Sequence, residues 1–147
     1  MEIRKVIIEL KSVTDGESAV YRYKGNYALR SGKHCVVYSD DSGESKTRVL
    51  LEASENGMFL HRTGGITSDM IFDPSRMTAV SYEAMSLRHD FLLITDAYTL
   101  MAETDRIRIC TSYRLRIGAA PATASEDALL PQDILCTQNI SIIPDHQ

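Results

Sequence analysis

The sequence predicts an all-β chain, folded as a single antiparallel up-and-down barrel of about eight to ten strands, with a β-sandwich as the alternative. Three observations carry this. The stretch Arg106–Ile117 alternates strictly: Ile107, Ile109, Thr111, Tyr113, Leu115 and Ile117 fall in one phase, and Arg106, Arg108, Cys110, Ser112, Arg114 and Arg116 in the other. Successive strand side chains point to opposite faces, so this segment has an oily face and a basic one. Nearly every other segment also reads as a strand, bounded by turn residues, and none shows the spacing of an amphipathic helix. Tight turns between neighbours favour a meander, and closing a long meander removes its vulnerable edges.

In chain order, Val6, Ile8 and Leu10 share one face of a first strand, ended by Thr14-Asp15-Gly16. A second strand runs over 18–24, and Gly25-Asn26 is read as its break before a short Tyr27-Ala28-Leu29. Ser31-Gly32 turns the chain into a strand over 33–39, followed by the polar tip Asp40-Asp41-Ser42-Gly43. Thr47, Val49, Leu51 and Ala53 share the next phase; Asn56-Gly57, a pair tolerant of positive φ, is read as the hairpin that follows. Met58, Leu60 and Arg62 alternate with Phe59, His61 and Thr63 before Gly64-Gly65 leads into a strand over 66–72. Asp73-Pro74-Ser75 precedes a strand over 77–83, and Ala84-Met85-Ser86 separates it from one over 87–94. A further strand over 98–102 turns at Glu103-Thr104-Asp105 into Arg106–Ile117. The Ala-, Pro- and Ser-rich stretch Gly118–Asp133 lacks period two and reads as a long surface loop, with one helical turn capped by Ser125 and stopped by Pro131. A last strand over 134–143 stops at Pro144.

At 147 residues the chain suits one domain, residues 1–147, with core enough to need no staples. A formal charge of −4 disfavours a general nucleic-acid partner, whose footprint is usually basic. The charged start Met1-Glu2-Ile3-Arg4-Lys5 does not resemble a signal peptide, and no later run approaches a membrane span. Cys35, Cys110 and Cys136 are odd in number and widely spaced, which fits reduced thiols packing as small hydrophobes. The expected compartment is the cytoplasm.

The motifs Tyr23-Lys24-Gly25-Asn26-Tyr27, Val37-Tyr38, Lys46-Thr47, Leu60-His61-Arg62-Thr63-Gly64, Met70-Ile71-Phe72, Tyr82 and Thr95-Asp96-Ala97-Tyr98-Thr99-Leu100 follow one another along nearly the whole chain. In this order they resemble the YwiB-like family of small bacterial β-barrel proteins. The resemblance implies a calycin-type, lipocalin-like barrel and a domain of unknown function, with no reaction, cofactor or catalytic residue to carry over. Two departures stand out. Members of that family tend to have a Pro/Gly turn where this chain has Glu83-Ala84-Met85-Ser86, and Gly118–Asp133 is long for the family.

Chemistry is sought among polar residues in apolar phases. Arg62 shares the phase of Met58 and Leu60. Burying its guanidinium costs roughly several kcal/mol without a partner, so an inward Arg62 needs a carboxylate, carbonyls or an anionic ligand. The blander alternative is that it snorkels to solvent or braces loop carbonyls beside Gly64-Gly65. His89 lies between Leu87 and Phe91 in phase, where a satisfied core histidine is the commoner outcome and a proton-transfer or ligand role the sharper one. Tyr82 and Tyr113 either line a cavity or simply pack on the pleat. The candidate ligand site in the barrel interior is therefore Arg62, Tyr82, His89 and Tyr113. The row Arg106, Arg108, Arg114 and Arg116 is expected to face water, paired across to acidic neighbours, rather than to bind phosphates.

There is no glycine-rich phosphate loop, no Gly-x-Ser-x-Gly elbow and no metal-binding histidine pair, so neither metal nor cofactor is expected. The leading expectation is a non-enzymatic binding protein whose barrel holds a small apolar or amphipathic ligand, including one with an acid group. The second is a protein-interaction module using an outer face or the 118–133 loop. The third is an enzyme using Arg62, Tyr82 and His89, which requires them to converge on one cavity. No oligomeric state is legible.

Overall fold

The computed structural model describes residues 2–117, 129–130 and 132–146. The strands are β1 Arg4–Thr14, β2 Glu17–Arg30, β3 Lys33–Asp40, β4 Thr47–Ser54, β5 Gly57–Gly64, β6 Ile66–Phe72, β7 Thr78–Ala84, β8 Leu87–Ala102, β9 Ile107–Ile117 and β10 Ile134–Pro144. Each pairs antiparallel with its sequence neighbour, and β1 pairs with β10, so the sheet closes into an up-and-down barrel. A sandwich is not needed. No helix among the described residues is long and apolar enough to cross a membrane. The helical turn expected over 125–131 lies outside the described residues, as does most of the 118–133 loop.

Period two fills the barrel. The alternating residues Val6 and Ile8, Thr47 to Ala53, Met58 and Leu60, Met70 and Phe72, and Ile109 to Tyr113 are all buried. Phe72 meets Tyr113 edge-on at 4.9 Å between ring centroids, which locks two opposed walls together. Three hairpins, at Asp15-Gly16, Ser31-Gly32 and Met85-Ser86, put both turn residues at positive φ, matching the twist of the flanking strands. Met85 and Ser86 do so without glycine, at a cost of about 1 kcal/mol each.

Three sequence expectations are corrected. Gly25-Asn26 does not interrupt a strand: β2 runs unbroken through it, and Gly25 is there because a Cβ would lie 2.6 Å from the Val37 carbonyl oxygen. The β4–β5 turn residues are Glu55 and Asn56, since Ser54 pairs with Gly57 inside the ladder; a side chain at Gly57 would strike the Phe72 carbonyl. The segments 87–94 and 98–102 are one strand, β8, with a bulge at Asp96. The extra residue reverses the phase, so Leu93 and Thr95 face inward before it and Tyr98 and Leu100 pack on the core after it.

The basic face of β9 is the fourth correction. Arg108 is exposed, but Arg114 and Arg116 are only 5% and 2% accessible. Both lie on the outer wall beside Leu92 and Ile94, which are also buried, so this patch of the wall is covered. Arg116 donates from Nε and Nη2 to the two oxygens of Asp133, at 2.9 and 3.1 Å, a bidentate pair. Arg114 bonds Asp96 at 2.8 Å and lies 3.5 Å from Asp133. The Leu130 amide donates to the same Asp133 carboxylate at 2.9 Å. The bulge thus delivers Asp96, and the chain just before β10 delivers Asp133. Ile117, expected in the core, is exposed. Of the cysteines, Cys35 and Cys136 are buried as expected, but Cys110 is exposed; all three thiols are free.

Candidate functional site

The hairpin registers build a row across four strands at one end of the barrel. Arg62 on β5 lies opposite Ser68 on β6, Ser68 opposite Tyr82 on β7, and Tyr82 opposite His89 on β8. Directly opposite residues stand about 5 Å apart on one face, so these four side chains form a continuous polar band on the inner wall. Below the band, Met70, Val80, Phe91 and Leu115 supply apolar walls, and Thr14, Tyr113 and Cys136 complete the ring from β1, β9 and β10. The cavity they enclose has a volume of about 300 Å³, within the range of small-ligand sites.

All four residues singled out from the sequence, Arg62, Tyr82, His89 and Tyr113, line this one cavity. Arg62 is half-buried in the inward phase, and its Nη1 meets the Met70 sulfur at 3.7 Å. No carboxylate lies within ion-pairing distance of it among the described residues. Its positive field nevertheless reaches Asp40, Tyr38 and Tyr113. Burial pushes the Tyr38 phenol up to about 12, with Arg62 opposing. Burial also pushes Asp40 up, but hydrogen bonds from the Ser42 hydroxyl, the Ser42 amide and Tyr23, with the charge of Arg62, hold it below the ordinary carboxylate range. Two of its donors are local: Ser42 N and Oγ lie 2.9 and 2.5 Å away.

On the far wall, burial first, and then the neighbouring Cys136, push the Tyr113 phenol well above its ordinary value. Burial likewise raises the Cys136 thiol, so neither group is ionised near neutral pH. His89 is exposed at the rim, its ring 6.3 Å from that of Phe91. Among the described residues no hydrogen bond links Arg62, Tyr82 and His89, so they share a cavity without forming a proton relay. Nor do three or more His, Cys, Asp or Glu cluster as metal ligands would. The described arrangement has the means to hold a molecule, with one cation, several neutral donors and an apolar floor.

Sequence reasoning missed Ser68, Thr14 and Cys136. Ser68 was countable against Arg62, because the tight Gly64-Gly65 turn sets that register; its pairing with Tyr82 crosses the longer 73–77 connection. The Ser68 hydroxyl is buried and makes no hydrogen bond among the described residues. Thr14 and Cys136 arrive only when β1 meets β10, a pairing no local pattern reveals.

The family model described as "Domain of unknown function (DUF1934)" matches residues 3–126. No curated protein matches. A crystal structure of the ywiB protein from Bacillus subtilis is similar in fold, with a TM-score of 0.78 and 18% identity, over 97% of this chain and 93% of that one.

Proposed function

We propose that this chain, which belongs to the DUF1934 family, is a non-enzymatic small-molecule-binding barrel whose ligand is amphipathic and carries an acid group. The observation behind this reading is Arg62: a half-buried cation in an apolar-walled cavity, with no carboxylate partner among the described residues and an unsatisfied serine hydroxyl beside it. Desolvating a guanidinium is costly, and an anionic ligand headgroup offsets that cost with charge-assisted hydrogen bonds. Tyr82 and His89 extend the polar band, while Val80, Phe91 and Leu115 suit a short hydrocarbon body. The neutral Tyr113 and Cys136 supply weak hydrogen-bonding groups and no nucleophile, which favours holding over chemistry.

The test is native mass spectrometry of the purified protein, followed by titration with octanoate and with octanol. Binding of one octanoate per chain, at least about ten-fold tighter than octanol, is expected from a charge-assisted bond of about 1.5–3 kcal/mol. A protein that retains nothing and binds neither compound overturns the proposal.

A further inference from the structure

We propose a second, separate site: the free edge of β2 over Glu17–Lys24 accepts an extended acidic segment of a partner protein as an added strand. β2 pairs with β1 from Glu17 to Tyr27, but with β3 only from Gly25 onward. Beyond Tyr38, the last two residues of β3 pair only with β4. The barrel wall therefore parts between β2 and β3. Among the described residues the eight from Glu17 to Lys24 have one strand neighbour, and every second one turns its amide and carbonyl toward the gap.

The other place where the wall parts shows what closure looks like. β6 and β7 pair only over Ile66–Ser68, yet there the Thr78 hydroxyl crosses the gap and donates to the Ile71 carbonyl at 2.8 Å. At the β2 edge the bridging is confined to the inside. Tyr23 stacks on Tyr38 at 4.7 Å between centroids and hydrogen-bonds Asp40, so the barrel interior is sealed. Among the described residues the main chain of Glu17–Lys24 remains open, with Val20 70% exposed and Tyr21 beside it. Natural proteins ordinarily cover or blunt so long an edge, and a bare one is a template for strand addition.

Charge names the occupant. A groove of about 750 Å³ runs along the edge, and among the described residues lining it Asp41 is the one acid, against Arg22, Lys24 and Arg48. Arg22 leans on Glu9 at 3.4 Å, whereas Lys24 and Arg48 make no ion pair among the described residues. A strand with carboxylates on alternate residues meets these cations on the outer face, which they share with Val20, and turns its other residues toward Tyr21 on the opposite face. A like-charged segment is repelled.

Hydrogen exchange of the intact chain, with and without a short peptide of alternating valine and glutamate, tests this. The peptide is expected to slow amide exchange within 17–24 by about ten-fold or more, leaving the cavity residues unchanged. The valine–lysine analogue, and the glutamate peptide N-methylated at alternate residues, are expected to give no protection. The double variant Lys24→Glu, Arg48→Glu, both exposed, should reverse the preference toward lysine. Equal protection by both peptides, or none by either, overturns the proposal. So does light scattering that shows a dimer with this edge already protected, because a second copy would then be the occupant.

Discussion

Two sets of arginines sit on opposite sides of the same wall. Arg114 and Arg116 lie on the outside, where alternation puts solvent, yet they are almost wholly buried. Arg62 lies on the inside, where alternation puts core, yet it is half-exposed in a cavity. The outer pair is met by Asp96, Asp133 and the Leu130 amide that organises Asp133. Arg62 is met by a thioether. Strand phase thus predicts which way a side chain points, not how wet it is; the partners decide that. A buried arginine held by carboxylates belongs to the architecture, and one facing a cavity with no carboxylate beside it among the described residues is free to meet something from outside.

That contrast can be broken by substitution. Asp133→Ala leaves Arg116 buried without its bidentate acceptor and weakens the hold on Arg114, so a loss of about 3–5 kcal/mol is expected in urea denaturation. A loss near zero would show that Asp133 does not anchor the covered patch. A smaller effect follows from acid. Hydrogen bonding to Arg116, then the Leu130 amide and both cations, holds the Asp133 carboxyl below its ordinary value against the opposing pull of burial. Its contribution is therefore complete above the unfolded value near about pH 4 and is lost as pH falls through the lower folded value. Stability measured from pH 5 downward should fall less steeply in Asp133→Asn than in the parent; identical slopes would contradict the assignment. The smallest stability effect is expected from Arg62→Met, within about 1 kcal/mol of the parent or more stable, because among the described residues no ion pair is broken and an unpaired cation is removed. The same variant should lose octanoate affinity by about ten-fold or more while keeping octanol, which would separate the two classes of arginine in one experiment.

The barrel was legible because alternation and hairpin chemistry are local. Arg62 announced itself by sharing a phase with Met58 and Leu60. The covered patch was not legible, because Arg116 and its Asp133 are 17 residues apart with no strand period in the sequence to relate them. The bulge at Asp96 hid itself differently. By reversing the phase of β8 it made one strand resemble two, and it concealed the aspartate that reaches Arg114. Asn56-Gly57 misled for a third reason. Its glycine answers a steric demand from Phe72, on a different strand, rather than the demand of a turn. The cavity lay between these cases: two tight hairpins give the Arg62–Ser68 and Tyr82–His89 pairs of its band, but the step from Ser68 to Tyr82 crosses the 73–77 connection and the far wall required closure.

Closure has a consequence for the order of the chain itself. β1 and β10 are neighbours like any other two strands, paired from Val6 with Pro144 to Thr14 with Cys136. At one end of this pair the Asp145 amide donates to the Lys5 carbonyl at 3.0 Å; at the other the Asp15 amide donates to Leu135 at 2.9 Å. The first and last strands therefore form a hairpin that lacks only its connecting turn. A short linker across Lys5 and Asp145, with a cut at an exposed tip such as Glu55-Asn56, would preserve every strand pair. In its strand pairing the barrel is a ring, and which strand comes first around it is incidental to the pairing.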